Sequence, residues 1–262
     1  MAGLKKSENS KHNYQAELEK ILSSISDTSS ETAEDSFLSE KKPTLCLHAC
    51  CGPCSSYVLE YLANHFEITV LYYNPNIYPE AEYERRLAEL KDLYRHFPPV
   101  LENHVKFVEL SYNPDDFYNA VNTKNEPDLA DEPEKGESCR RCYEFRLKCT
   151  YNYAKKHSFD YFCTTLSISP FKDAEKINQI GMELAGDFDT AQSPDGLPRC
   201  ARNDSERALS LSKCTSPDEK NPKWLPSDFK KKGGFKRSLE ISEEYSLYRQ
   251  NYCGCVYSAR NK

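Results

Sequence analysis

The regular exchange of short apolar runs with long amphipathic ones limits this chain more than any other feature of its sequence. "PTLCLHAC" reads as a first strand, and "PCSSYVLEYLANH" follows at once with a proline at a helix start, hydroxyl residues for capping and apolar positions at helical spacing. "EITVLYYN" reads as a strand, "PEAEYERRLAELKDLYRHF" as a long helix, "VKFVEL" as a strand and "PDDFYNAVN" as a short helix. After an acidic loop, "EPDLADEPEKGE", come a helix in "SCRRCYEFRLKCTYNYAKKH", a strand in "FDYFCTTLSI" and a helix in "DAEKINQIGMELAG". Repetition of this kind predicts an α/β fold: one domain with a mostly parallel sheet and helices on both faces. Such sheets place their sites at the carboxyl ends of the strands.

The two interruptions of the pattern set the expected boundaries. Residues 1–40 are polar and Ser-rich, with "YQAELEKILSSI" the only amphipathic fragment. They read as a mobile leader outside the core, carrying at most one helix. The cysteine-rich α/β domain is expected over residues 41–258, with an excursion of low core content at about 188–224. No apolar run approaches the roughly 18 residues of a membrane span, and the N-terminus lacks the apolar stretch of a secretory signal, so the expected location is cytoplasmic. The net charge of −6 argues against a surface that is basic throughout but leaves room for a local basic patch.

In a reducing compartment, 12 cysteines point to metal binding or redox chemistry rather than to a disulfide framework. Seven fall in three tight groups. Cys50, Cys51 and Cys54 lie where the first strand hands over to the first helix, whose N-terminus favours thiolates. Cys139 and Cys142 form C-x-x-C at a predicted helix start, and Cys253 and Cys255 flank Gly254 near the C-terminus. Two pairs supply four thiolates, enough for a structural zinc or an iron–sulfur cluster. An α/β domain of this size needs no zinc staple, which weights the reading toward iron and sulfide. The C-x-C pair would form a strained, labile disulfide, or would bind a second metal together with Cys54. Cys46 and Cys163 read as core residues, and so does Cys149, on the same helical face as Cys142; Cys200 and Cys214 carry no assignment. His48 reads first as a hydrogen-bonded strand-end residue and second as a site residue.

Taken in order, "LHACCGPCSS", "YYNPNIYPEAEYERRL", "ESCRRCYEFRL", "FDYFCTTLSISPFKD", "DFKKKGGFKRS" and "YRQNYCGCVYS" resemble the QueH family of epoxyqueuosine reductases over about residues 44–258. The resemblance implies an adenine nucleotide α-hydrolase-like (HUP) fold and a 4Fe–4S cluster held by Cys50, Cys51, Cys139 and Cys142. It also implies a redox-active disulfide between Cys253 and Cys255 or, in another view of the family, an additional mononuclear iron beside the cluster. Cys54 would help hold that iron at a position where some members carry an aspartate. The implied reaction is the last step of queuosine formation, reduction of the cyclopentane epoxide of epoxyqueuosine in the anticodon loop of tRNA to an alkene. An unidentified electron donor is implied as a partner. Phosphate contacts are then expected from Lys230, Lys231, Lys232, Lys236 and Arg237, with Arg140, Arg141 and Arg146 around the second cysteine pair. Of the proton donor nothing is fixed; Tyr143, Tyr252 and His48 are only neighbours of the cysteines in sequence. Two other classes compete: a zinc-stabilised RNA-binding module, and a thiol–disulfide oxidoreductase using Cys253 and Cys255 alone. ATP-driven tRNA thiolation on the same fold fits poorly, because "CCGPCSS" has one glycine where a phosphate cradle needs several.

Overall fold

The computed structural model describes residues 12–28, 41–186 and 220–260. Five strands, β1 (Thr44–Ala49), β2 (Glu67–Tyr72), β3 (Lys106–Glu109), β4 (Tyr161–Thr164) and β5 (Lys223–Trp224), form one sheet in the order β3-β2-β1-β4-β5. Every pairing is parallel, with Leu45 beside Ile68 on one side and Tyr161 on the other. The order is compatible with the HUP expectation. It also creates a switch point: the chain leaves β1 toward one edge, and β4 returns on β1's other flank. A crevice therefore opens beyond the carboxyl ends of β1 and β4.

Nine helices accompany the strands among the described residues: α1 (Tyr14–Thr28), α2 (Gly52–Leu62), α3 (Glu80–His96), α4 (Pro98–Glu102), α5 (Pro114–Val121), α6 (Glu137–Lys156), α7 (Ala174–Ala185), α8 (Gly234–Glu244) and α9 (Val256–Arg260). The period of two in β1 decides which helices cover which face. Leu45, Leu47 and Ala49 join a core with Val58, Leu62, Leu90 and Ile241, so α2, α3 and α8 cover that side. Cys46 points the other way, into a second core with Leu147, Ile177 and Trp224 under α6 and α7. The second face closes tightly where α7 meets β5. A Cβ on Gly181 would lie 2.1 Å from the Trp224 ring, so only glycine admits that contact. Asn178 locks it by accepting from Trp224 Nε1 at 3.0 Å and from the Ser227 N–H at 2.9 Å.

Two expectations change. The fragment read as part of a leader outside the core is α1, and it docks. Leu18 is fully buried and Leu22 nearly so in the first core, each burial contributing roughly 2 kcal/mol. Gln15 Nε2 donates to Tyr61 at 3.2 Å, and Lys232 pairs with Glu19. The end of the supposed excursion is likewise structural: Lys223 and Trp224 are β5, paired with Tyr161 and Phe162. Two residues are too few to show a strand period in sequence, and backbone pairing supplies what the pattern could not. Residues 187–219, with Cys200 and Cys214, lie outside the described residues, as do residues 1–11, 29–40 and 261–262.

Candidate active site

Backbone geometry brings the first cysteine group to the crevice. Cys51 is the N-cap of α2, in extended conformation, with no side-chain cap, while Pro53 starts the helix. The hydroxyls expected to cap it turn back instead, Ser55 donating to the Cys51 carbonyl at 2.8 Å and Ser56 to that of Pro53 at 3.1 Å. The α2 N-terminus is therefore left facing thiols. The sulfurs of Cys50, Cys51 and Cys54 all lie within 4.8 Å of one another, with Cys50 and Cys51 3.8 Å apart. They behave as one unit. Hydrogen bonds from Cys51 and Cys54 hold the Cys50 thiol well below the usual value, and those same bonds push Cys51 and Cys54 up.

The second and third groups meet beside it. Cys139 and Cys142 occupy the first turns of α6, as their spacing predicts, and Cys142 packs with Cys255, Phe117 and Val121. Gly254 takes φ +103°, a conformation that glycine adopts without strain. A Cβ there would fall 2.7 Å from the Arg86 guanidinium. Arg86 anchors this turn by donating to the Cys253 carbonyl at 3.1 Å, and the Tyr78 N–H donates to the Gly254 carbonyl at 2.8 Å. All seven cysteines are free thiols. Two clefts result. One, of about 690 Å³, is lined by Cys50, Cys51, Cys54, Arg86, Phe171 and Arg249 among others; the other, of about 450 Å³, by Cys139, Cys142, Tyr143, Cys255, Glu132 and Glu134. Lys172 and Cys253 line both. Among the described residues the tight three-sulfur group is that of Cys50, Cys51 and Cys54; Cys139 and Cys142 stand off it, across the junction between the clefts.

Three buried cations, Lys172, Arg86 and Arg146, surround these thiols. Lys172, 6% exposed, donates from Nζ to Cys253 Sγ. Burial pulls its pKa down, but the Cys253 sulfur and the neighbouring Tyr143 and Cys139 outweigh that and leave it raised. In turn the Cys255 hydrogen bond and the charges of Lys172 and Arg146 hold Cys253 well below the ordinary thiol value against burial. Cys255, whose Sγ donates to Ser258 Oγ at 3.4 Å, is pushed up by its interaction with Cys253 and by burial. Arg86 pairs with Glu82 at 2.7 Å, and Arg146, 1% exposed, bonds among the described residues only to neutral oxygens, those of Cys142 and Asn74. Each guanidinium keeps a buried Nη2 without a hydrogen-bond partner among the described residues. Lys172 could have been found from its place just beyond β4, in "SISPFKD", at the carboxyl edge. Arg86 could not, because it sits inside an ordinary-looking helix; Arg146 is legible beside the C-x-x-C pair, but as a phosphate contact and not as the buried cation it is.

Other expectations resolve plainly. His48 is a structural residue: Nδ1 lies 2.8 Å from Thr164 Oγ1 and Nε2 3.1 Å from the Tyr73 carbonyl, and burial lowers its pKa to about 4. Cys46, Cys149 and Cys163 are core. The basic rim is thinner than the sequence suggests. Arg146 is buried, Arg140 is held by Glu137 and Glu144, and Arg141 by Glu126 and Glu137. In the later run Arg237 forks onto Glu60, Lys232 pairs with Glu19, and Lys230 reaches the Ser167 carbonyl and Asp228. Lys231 and Lys236 remain exposed, the latter only loosely paired with Glu240 at 3.8 Å.

A sequence model described as epoxyqueuosine reductase QueH matches residues 45–194 and 200–261 of the chain. The chain belongs to this family. Among its relatives, the epoxyqueuosine reductase QueH of Streptococcus pyogenes serotype M1 is 37% identical over 84% of the chain and 71% of that protein. That of Staphylococcus epidermidis is 34% identical over 98% of the chain and 88% of its own length. The QueH protein of Thermotoga maritima retains 29% identity over 82% of the chain and 90% of its own length. The match begins at β1 and ends beyond the C-x-C pair, so all three cysteine groups fall within the QueH region.

Proposed function

We propose that this chain is an epoxyqueuosine reductase, converting the cyclopentane epoxide of epoxyqueuosine in tRNA to the alkene of queuosine. The observation that carries this reading is the meeting of three cysteine groups and three buried cations at the switch point of a QueH-family sheet. The donor set suits a sulfur-rich cofactor. Among the described residues Arg146 is buried with no carboxylate partner, and Arg86 and Arg146 each have a spare donor. Buried cations in that state are costly unless anionic groups are close, and thiolates binding a metal are such groups. Cys50, Cys51, Cys139 and Cys142 would hold a 4Fe–4S cluster. Cys54, Cys253 and Cys255 would hold a second iron, or the last two would cycle between dithiol and disulfide. When bound, such a cluster supplies electrons one at a time.

The reaction consumes two electrons and two protons, and the epoxide oxygen leaves as water. The chain's own part is to bind, shield and protonate. Lys172 holds a proton on Nζ at Cys253 Sγ, where both clefts meet. Arg86 and the Tyr78 N–H fix the turn that presents that sulfur. Leu166, Ile168 and Phe235 keep the wall of the larger cleft apolar and so favour exclusion of water. No described helix is long and apolar enough to cross a membrane. We place the enzyme in the cytoplasm with its tRNA and a donor of electrons.

The test is anaerobic purification with a visible spectrum and iron and sulfide analysis of the wild type and Cys139→Ser. A brown protein with about four irons per chain, lost in the variant, supports the reading. Iron in excess of sulfide assigns Cys54, Cys253 and Cys255 to a second metal rather than to a disulfide. A colourless protein with a single zinc sinks the redox chemistry in favour of an RNA-binding module.

A further inference from the structure

The loop after β4 does something that the cysteine chemistry does not require. Thr164 Oγ1 accepts from the Leu166 N–H at 3.2 Å, ending the strand and starting a single turn of 3₁₀ helix over Thr165–Ile168. Ser169 then fixes the next bend, its Oγ accepting from the Phe171 N–H at 3.3 Å and its carbonyl from the Lys172 N–H at 3.2 Å. Consecutive side chains part company as a result. Lys172 turns inward to Cys253, while Phe171 is left 41% exposed at the mouth of the larger cleft. The other large exposed apolar side chains among the described residues, Tyr78, Leu101 and Leu239, do not line that cleft. Arg249 lines the same cleft, stands over the Phe235 ring at 5.7 Å and donates to Ser242 Oγ at 3.4 Å. Among the described residues Arg249 makes no ion pair, unlike Arg237, Arg140 and Arg141.

An exposed aromatic face and, lining the same cleft, a cation that forms no ion pair among the described residues suit an unpaired nucleotide, which offers a π-face and a phosphate. We propose that Phe171 stacks on a base of the RNA loop and that Arg249 contacts its backbone, so that the modified base enters by the larger cleft. The proposal rests on the reductase reading and deepens it. Lys172 is the next residue in the chain, so a base stacked on Phe171 is held at the entrance to the Cys253 junction. The smaller cleft does not offer this to RNA, because Glu132 and Glu134 line it.

The experiment measures binding and turnover of a fluorescently labelled anticodon stem-loop carrying epoxyqueuosine, with the anaerobically loaded full-length enzyme. Phe171→Ala should weaken binding about 10-fold, the worth of one base–aromatic stack, and raise KM in step while kcat changes far less. Phe171→Trp should restore both. Arg249→Gln should lower the slope of log K against log salt by about 0.7, the share of one neutralised phosphate on a single strand. Phe171 is exposed, so its variants should melt with the wild type. If the wild type reduces the RNA and Phe171→Ala binds it equally well, the stacking site is wrong and the reductase reading stands. If the wild type binds the RNA through Phe171 but leaves the epoxide intact, the surface stands and the reductase reading falls. A wild type that neither binds nor reduces the RNA overturns both.

Discussion

The two clefts that share Lys172 and Cys253 are built from the same residue type and treat it in opposite ways. In the larger one, three sulfurs lie close enough to hydrogen-bond as a unit, and the set stabilises charge on Cys50. In the smaller one burial dominates: it raises Cys139, and it pushes Cys142 up to about 11 even beside Arg146. Their mouths differ too, Phe171 and Arg249 on one, Glu132 and Glu134 on the other. A site made only to hold metal has no need of two unlike entrances. The difference teaches a division of labour: one cleft is prepared for charge and for a nucleotide, while the other contributes thiols that become thiolates only when a cation arrives.

The largest effects should come from the cysteines themselves. Cys50→Ser, Cys51→Ser and Cys142→Ser should each lose cluster iron and sulfide and fall to background activity. Cys54→Ser should keep the sulfide and lose only iron in excess of it. Full cluster retention in Cys142→Ser would break the comparison, since the smaller cleft would then supply no ligand.

Lys172, common to both clefts, comes next. Lys172→Met should cut the rate of Cys253 alkylation at pH 7 in the reduced, metal-free protein by about 10-fold or more, because the cation holding the thiolate is gone. Turnover of the loaded enzyme should fall roughly 10²- to 10⁴-fold, the usual span for a missing proton-transfer group. Lys172→Arg keeps the charge and should recover part of the alkylation rate. Unchanged alkylation in Lys172→Met would show that Cys255 alone sets the thiolate.

Much of this architecture is legible in the sequence, for reasons that also explain the gaps. β1, β2 and α3 are long and periodic, and the C-x-x-C pair lies at a helix start as its spacing predicts. Short elements and docking are not legible: β5 has two residues, and nothing in the amphipathic pattern of α1 says where Leu18 is buried. Charges mislead most. A run such as "KKKGGFKR" advertises basicity, yet Arg237 and Lys232 are taken up by Glu60 and Glu19, more than 170 residues away in the chain. Of the two arginines by the thiols, Arg86 sits in α3, whose residues call for nothing unusual, and Arg146 follows Cys142 by one turn on α6, where its charge reads as surface basicity rather than as a buried cation.

His48 separates the scaffold of the larger cleft from its chemistry. Its folded pKa, about 4, lies below the ordinary 6.5, so the unfolded chain binds more protons between those values. Stability of the metal-free protein should therefore be highest above pH 6.5 and decline as pH falls toward 4, by an amount on the order of 3 kcal/mol. Urea midpoints across that range provide the measurement. His48→Gln should flatten the dependence, and a wild-type profile with no slope there would mean that the imidazole reaches water.

The smallest effect sharpens the contrast between the two mouths. If RNA reaches the enzyme only at the larger cleft, the exposed lysines beside it should contribute as phosphate contacts and nothing more. Lys236 is 82% exposed on α8, the helix whose Phe235 and Ser238 line that cleft, and Lys231 lies just before it. Lys231→Gln and Lys236→Gln should each lower the salt slope of stem-loop binding by roughly 0.7, with little effect on kcat. Arg237→Gln should change the slope less, because its guanidinium is already engaged by Glu60, and should shift stability by under about 1 kcal/mol. Glu134→Gln, at the other mouth, should leave binding unchanged if the RNA stays away from it. Tighter binding in Glu134→Gln would show that the acidic loop lies within a Debye length of the bound backbone, about 8 Å at physiological salt. The loop would then act as a gate over the RNA rather than as a wall behind the cysteines.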